Sequence, residues 1–303
     1  MLSRRELLLT PAALLAVPAA TSIVSAAGGR MTLALHQNTS SRSTFKASLE
    51  GWAKAGVNQA EITSGLLDTF LKTESLATAK RVFTDLNLTP VSGSCGVNGL
   101  FEPNPEHAAA IDNFKKRCEQ WATLGIPKIY TTTQSNMKPT PDDYTKAADN
   151  VREFGEIAKQ FQLTGMFEFV RTSTFVSTLN TLLSITRAAG QPNVGPLFDC
   201  YHFWSGLNKM EDIDAVKPGE IKHVHFSDVP DMPRELLDTT TRSIPGDGVT
   251  PLTTILQKLS AKGYAGPLSV ELLLPKFQAG DPFEVAKEIK TKAEAVMRKA
   301  KVI

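Results

Sequence analysis

The sequence predicts a single (β/α)8 barrel, in which eight parallel strands close on themselves inside a ring of helices. Short apolar runs of strand type alternate with segments of helical periodicity, and this alternation favours a parallel sheet. Eight such units, at residues 28–303 of the 303-residue chain, suit a closed barrel better than an open sheet. An open, doubly wound sheet is the alternative. The turn after the first strand, His36-Gln37-Asn38-Thr39-Ser40, lacks the glycines of a dinucleotide-binding loop.

Local sequence signals set the order and limits of the elements. Phe45, Leu49 and Trp52 recur at helical spacing, and Gly56 follows as a terminator. Pro141 begins another helix with acidic residues in its first turn. The strands are expected at residues 31–36, 57–62, 88–95, 127–132, 163–169, 194–199, 221–226 and 268–273. The helices are expected at residues 43–55, 66–86, 105–124, 141–161, 174–189, 211–216, 250–262 and 282–299.

Residues 1–27 are predicted to be a twin-arginine-type export signal and not part of the barrel. Arg4 and Arg5 precede a run rich in alanine and leucine, and Val24-Ser25-Ala26 supplies small residues of the type that signal peptidases accept. The run contains prolines and is short for a stable membrane span. We therefore expect a periplasmic or otherwise exported mature protein without a membrane span. An amphipathic helix or lipid-facing anchor is the alternative.

Composition excludes several other classes of protein. The net charge is +2 with acids and bases interspersed, so no basic nucleic-acid-binding face is expected. The chain has three cysteines without CxxC spacing, which argues against a zinc finger or a disulfide framework. Cys95, Cys118 and Cys200 are expected to be inert thiols.

Four ionisable residues occupy the C-terminal ends of the last four predicted strands. These are Glu168, Asp199, His225 and Glu271. Active sites of barrels lie at this end, and alternation along each strand can point all four side chains inward. Three carboxylates and one imidazole suit a divalent ion, with Mn²⁺, Mg²⁺ or Co²⁺ favoured by the oxygen ligands and Zn²⁺ also acceptable.

Several motifs in the second half resemble those of the xylose isomerase-like superfamily of sugar phosphate isomerases and epimerases. Phe198-Asp199-Cys200-Tyr201-His202 is similar to its D-x-x-H element, and His223-Val224-His225-Phe226-Ser227-Asp228 is similar to its H-x-H-x-x-D strand. Arg242-Ser243-Ile244-Pro245-Gly246-Asp247-Gly248 resembles its R-x-x-P-G-x-G loop, and Ser269-Val270-Glu271-Leu272 its last metal-binding strand. The stretch between His225 and Arg242 is longer than in the compact epimerases and is expected to reshape the mouth of the pocket.

The resemblance implies a role for each of these residues. It makes Glu168, Asp199, His225 and Glu271 the metal ligands, and His202 and Arg242 substrate contacts. Glu168 and Glu271 would be the acid–base pair of a sugar isomerase or epimerase, moving a proton next to a carbonyl through a metal-stabilised enediolate. The expected partner is a small carbohydrate, and a homo-oligomer is compatible with the sequence.

Other residues near the strand ends receive supporting roles. His223 is expected in the barrel core, and Asp228 is expected to orient His225 or a loop. Glu61 and His36 are candidates to line the pocket.

Three alternatives to an isomerase stay open at this point. The same metal–enolate site could serve a lyase or hydratase of a keto-glycoside. The barrel could also bind sugar without catalysis. A metallo-endonuclease acting at abasic DNA would need more metal-binding histidines and a basic rim, and neither is apparent.

Overall fold

The computed structural model describes residues 30–303, which form a closed barrel with the strands in sequence order. All neighbouring strands are parallel, and the barrel closes where Thr32–His36 pairs with Pro267–Val270. The predicted (β/α)8 barrel is therefore confirmed, while the predicted export signal lies outside the described residues. The strands are Thr32–His36 (β1), Gln59–Ile62 (β2), Thr89–Ser94 (β3), Lys128–Thr132 (β4), Thr164–Glu168 (β5), Val194–Asp199 (β6), His223–His225 (β7) and Pro267–Val270 (β8).

Ten α-helices connect and surround the strands of the described chain. They are Phe45–Lys54 (α1), Ser64–Phe70 (α2), Leu76–Asp85 (α3), His107–Leu124 (α4), Pro141–Gln160 (α5), Leu179–Ala189 (α6), Cys200–Ser205 (α7), Leu252–Ala261 (α8), Pro275–Gln278 (α9) and Pro282–Lys299 (α10). Short 3-10 helices occur at Gln37–Ser40, Met210–Ala215, Arg234–Leu236 and Thr239–Thr241. None of the helices in residues 30–303 has the length and apolar character that a membrane crossing requires.

Two helix predictions were wrong at their limits. The single helix expected at residues 66–86 is the pair α2 and α3, because the Ser75 hydroxyl accepts a hydrogen bond from the Thr78 amide and starts a new helix. The helix expected from residue 174 begins only at Leu179, where the Thr178 side chain caps it. In both cases a polar residue inside an apolar pattern acts as an N-cap.

Large aromatic side chains fill the layer between the strands and the helices. Phe114 of α4 stacks on Phe154 of α5 with ring centroids 4.0 Å apart, and Trp121 is fully buried. Gly93 of β3 makes room for Trp121, since a Cβ atom at that position would lie 2.6 Å from the indole ring. Each such buried side chain contributes about 1.5–3 kcal/mol to the free energy of unfolding.

A smaller apolar group lies inside the barrel itself. This group consists of three buried side chains that pack against one another, those of Tyr130, Met166 and Leu197. The cysteines at positions 95, 118 and 200 are buried free thiols, as the sequence predicts.

Candidate active site

Glu168, Asp199, His225 and Glu271 converge in one buried cluster at the C-terminal end of the barrel. Glu168, Asp199 and His225 are the last residues of β5, β6 and β7, and Glu271 directly follows β8. The His225 Nδ1 atom lies 3.0 Å from Glu168 Oε1 and 3.5 Å from both Asp199 Oδ2 and Glu271 Oε2. The structure thus brings together the four residues that the sequence singled out.

The donor atoms of this cluster fit one divalent metal ion. One ligand atom from each residue lies within 4.8 Å of the others, and none of the four side chains is more than slightly exposed. Metal–ligand bonds of about 2.0–2.2 Å hold ligand atoms at roughly such separations. Three buried carboxylates repel one another unless cations compensate them, and their oxygens together with one imidazole nitrogen suit ions from Mn²⁺ to Zn²⁺.

Arg242 is the buried cation that contacts this cluster. Its Nη1 atom donates to Asp199 Oδ2 at 2.6 Å and to Glu271 Oε2 at 2.8 Å. Its Nη2 atom lies 3.1 Å from His202 Nε2, and its guanidinium stacks over Tyr201 at 5.1 Å. The guanidinium therefore holds two carboxylates of the cluster in place.

His202 completes this arrangement from the first turn of α7. Its backbone amide donates to Asp199 Oδ1 at 2.7 Å, so the Asp199 carboxylate both caps α7 and joins the cluster. Burial lowers the pKa of His202 to about 4, which leaves the imidazole neutral. In the neutral ring an Nε2 atom that carries no hydrogen can accept a hydrogen bond from Arg242. The roles of His202 and Arg242 as substrate contacts stay predictions.

The two glutamates of the cluster differ in charge state. Burial raises the pKa of Glu168 to about 8. Burial alone would also raise the pKa of Glu271, but the adjacent Arg242 guanidinium lowers it to about 2. In the absence of an ion, Glu168 therefore holds a proton more readily than Glu271 does.

A second layer of polar residues lies below the cluster. Glu61 Oε2 lies 2.9 Å from His223 Nε2 and 3.3 Å from His225 Nε2. His36 Nε2 is hydrogen-bonded to the Tyr130 hydroxyl at 2.8 Å. Burial opposes protonation of His225, but Glu61, Glu168 and Glu271 together raise its pKa well above the usual value. His223 is a core residue, as the sequence predicts, whereas Glu61 and His36, the candidates to line the pocket, are both fully buried.

Asn38 is a site residue that sequence reasoning missed. Its Nδ2 atom donates to Glu271 Oε1 at 2.8 Å, and its Oδ1 atom accepts from the Thr63 hydroxyl at 3.2 Å. The amide fixes the orientation of the Glu271 carboxylate from the side opposite Arg242. Its position just beyond the first strand was the available signal, because all strand ends of a barrel face the same mouth.

Asp228 supports a loop, and within residues 30–303 its hydrogen bonds go to that loop and not to His225. Its carboxylate accepts hydrogen bonds from four backbone amides, those of Val229, Gly246, Gly248 and Thr250. These bonds fold the segment that carries Arg242, whose neighbour Ser243 pairs with Asp228 through an antiparallel bridge. The position of the Arg242 guanidinium therefore depends on this buried carboxylate.

Comparison with known proteins adds family relationships to this geometry. The sequence model of the family described as "Xylose isomerase-like TIM barrel" matches residues 50–296. An inosose isomerase of Halalkalibacterium halodurans is 29% identical over 278 residues, which cover 89% of this chain and 97% of that protein. A 3-dehydroshikimate dehydratase of Pseudomonas putida is 28% identical over 171 residues, 56% of this chain and 27% of that protein. The crystal structure of the IolI protein with a binding zinc atom superimposes with a TM-score of 0.82 at 25% identity, covering 89% of this chain and 99% of that one.

Proposed function

The chain belongs to the xylose isomerase-like TIM-barrel family, and from this membership and the site we propose a divalent-metal-dependent isomerase or epimerase of polyhydroxy ketones. One observation carries the proposal: the buried carboxyls of Glu168 and Glu271 flank a single cluster completed by Asp199 and His225. The inosose isomerases among its relatives support a sugar isomerase or epimerase, and they make inososes, which are cyclic polyhydroxy ketones, the first substrates to test.

Glu168, Asp199, His225 and Glu271 would hold the ion in this proposal. The ion, when bound, supplies a positive charge that stabilises negative charge developing on the substrate oxygens. Zn²⁺ is supported by the IolI structure, and the oxygen-rich donor set also accepts Mn²⁺, Mg²⁺ or Co²⁺. Because the four side chains are buried, few of their atoms would be in contact with bulk water during the reaction.

Glu271 and Glu168 would move the proton. Arg242 keeps Glu271 ionised, so that carboxylate can remove the proton from the carbon next to the carbonyl. Glu168 would return the proton, because burial raises its pKa to about 8 and makes it the carboxyl of the pair that takes up a proton more readily. Delivery to the opposite face of the same carbon gives an epimer. Delivery to the former carbonyl carbon, with transfer of the hydroxyl hydrogen from the neighbouring oxygen to the former carbonyl oxygen, gives an isomerised ketone.

A dehydratase or lyase is the second candidate, supported by the dehydratase relatives. It begins with the same removal of a proton next to the carbonyl. The bond between the following carbon and its hydroxyl or glycosidic oxygen then breaks as a C=C bond forms, and the leaving oxygen takes a proton from the Glu168 carboxyl and departs as water or as an alcohol. The proposed export of the protein favours keto-glycosides as substrates of this second reaction.

Product analysis tests these proposals. The protein loaded with Mn²⁺ or Zn²⁺ is incubated with inososes, ketohexoses, 3-keto-glycosides and 3-dehydroshikimate, and products are identified by mass spectrometry and carbon NMR. We expect a new isomer of unchanged mass. A product that has lost water or its aglycone would support the second candidate. Binding without turnover of any compound in this panel would contradict both and leave a sugar-binding protein.

A further inference from the structure

Glu61 carries a fully buried carboxylate that lies below the cluster. It is not one of the four residues that form the cluster. It is contributed by β2, which is not a neighbour of β7, so its side chain reaches His225 across the inside of the barrel. The Glu61 Oε2 atom lies 3.3 Å from His225 Nε2, while the other ring nitrogen, Nδ1, faces the three carboxylates. The imidazole of His225 thus lies between one carboxylate on one side and three on the other.

The two nitrogens of an imidazole ligand have different tasks. One must present a lone pair to the metal, and the other then carries a hydrogen whose partner fixes the tautomer and the ring orientation. An ionised carboxylate can only accept hydrogen bonds. When an ion at the cluster takes the Nδ1 lone pair, the hydrogen of the ring must lie on Nε2, and the Glu61 carboxylate 3.3 Å away is the acceptor on that side.

We propose that Glu61 is a positioning residue that holds His225 in the Nε2–H tautomer and so prepares Nδ1 for the metal. This inference rests on the proposed function, because it needs a metal at the cluster. His223 helps to fix Glu61, since its Nε2 atom lies 2.9 Å from the same oxygen. In this arrangement His223 holds the Glu61 carboxylate, and that carboxylate orients His225, which binds the ion.

A second metal ion at His36, Glu61 and His225 is the competing explanation for this group, whose donor atoms also lie within 4.8 Å of one another. His36 argues against it. Its Nδ1 atom accepts a hydrogen bond from the Asn38 backbone amide at 3.0 Å. Nε2 must then carry the hydrogen, which it donates to the Tyr130 oxygen at 2.8 Å. Neither nitrogen of His36 retains a free lone pair for an ion.

The test compares Glu61→Gln with Ser92→Ala in the full-length protein. Gln keeps the shape of the side chain but removes its charge. Ser92 pairs with Glu61 in the strand register and is equally buried, and its hydroxyl has no hydrogen-bond partner within residues 30–303. We expect Glu61→Gln to weaken Zn²⁺ and Mn²⁺ binding about 10–100-fold by titration calorimetry, and Ser92→Ala to leave it unchanged.

A second measurement needs no variant. Nitrogen-15 NMR of histidine side chains in the zinc-loaded wild-type protein should show His225 with hydrogen on Nε2 and metal on Nδ1. The opposite tautomer would overturn the inference even if Glu61→Gln failed to fold.

The remaining outcomes separate this inference from the proposed function. If Glu61→Gln bound Zn²⁺ and Mn²⁺ with the affinity of the wild-type protein, the inference would be overturned and the proposed function would be unaffected. Two ions per chain, the second lost in Glu61→Gln, would replace it with the second-metal explanation. No metal binding by the wild-type protein would contradict the proposed function itself, and with it the inference.

Discussion

Arg242 is the single residue whose environment most constrains the chemistry of the cluster. It is 2% exposed and lies against two carboxylates, Asp199 and Glu271, at hydrogen-bond distance. Breaking a buried pair by removing one partner leaves an uncompensated charge and costs about 3–5 kcal/mol. We therefore expect Arg242→Met to lower the free energy of unfolding by about that amount.

Urea denaturation measures this effect, with Arg242→Lys as the matched comparison. Lysine keeps the charge but cannot span both carboxylates and His202 with one planar group. The Arg242→Lys variant should therefore lose less free energy of unfolding than Arg242→Met. A change below about 1 kcal/mol in Arg242→Met would show that the pair does not stabilise the fold.

Protons compete with the metal ion for the same cluster. Burial raises the pKa of Glu168 to about 8, so this carboxyl is protonated below that pH and must lose its proton to bind an ion. Metal affinity should therefore rise as the pH increases from 6 toward about 8 and then level off. Calorimetry in buffers of different ionisation enthalpy should also detect proton release at pH 7. Affinity that is constant across this range would contradict the assignment of Glu168 as a ligand.

The sequence identifies some residues of the site and not others for a physical reason. Glu168, Asp199 and His225 end apolar strands, and a polar residue at such a position is visible without knowledge of its neighbours. Asn38 and Tyr130 acquire their roles only when the barrel forms and places the ends of β1 and β4 beside the strands that carry the cluster. The position of Asn38 after a strand places it at the mouth, but the partners of both residues are far away in sequence, so no local pattern reveals these contacts.

At the scale of elements, the β7–α8 loop is built around Asp228. Gly248 lies in this loop, and a Cβ atom there would lie 2.2 Å from the Val229 carbonyl oxygen and 2.6 Å from Asp228 Oδ1. Gly248→Ala should therefore displace the loop and lower the free energy of unfolding by about 1–3 kcal/mol, which is seen as a lower thermal midpoint. Activity should also fall, because the displaced loop carries Arg242.

Gly65→Ala is the control for this substitution. Gly65 lies in α2, and a Cβ atom added there would meet no atom within 4 Å beyond its chain neighbours and the backbone of its own helix. Alanine should stabilise the helix by about 0.5–1 kcal/mol. Differential scanning calorimetry of the two variants measures both changes, and equal midpoints would contradict the role assigned to the Asp228 loop.

The limits of helices and strands were predicted correctly where the apolar periodicity and the residues that begin or end an element agree. They were predicted wrongly where a polar N-capping residue interrupts the apolar pattern. α10 and β6 have the predicted limits, because a proline begins the helix and polar residues bound the apolar run of the strand. The sequence does not predict α7, because Asp199 both ends β6 and caps the helix that follows, and the strand pattern accounts for only the first of these roles.

At the scale of the whole molecule, closure of β1 against β8 brings the first and last strands to one mouth. Asn38 thereby meets Glu271 across 233 positions of sequence. Regular alternation of strands and helices was enough to predict this closed barrel. It could not indicate which side chains from opposite sides of the barrel touch, because those contacts depend on strand register and stagger.

The first 27 residues give a prediction for the whole protein in the cell. We propose that they direct export, so replacing Arg4 and Arg5 by lysine should abolish periplasmic accumulation. Cell fractionation with immunoblotting measures this, and Arg30→Lys, which changes an arginine beyond the signal, is the control. Equal periplasmic amounts of the double variant and the wild-type protein would contradict the proposed signal.

The central claim is that Glu168 and Glu271 transfer a proton next to a carbonyl at a metal-dependent site. Proton NMR in D₂O with an inosose or ketose as substrate tests it most directly. The metal-loaded protein should exchange the proton on the carbon next to the carbonyl for deuterium. Removal of metal by EDTA should stop the exchange, and added Mn²⁺ or Zn²⁺ should restore it. Exchange that persists after metal removal, or in the Glu168→Gln, Glu271→Gln double variant, would contradict the claim.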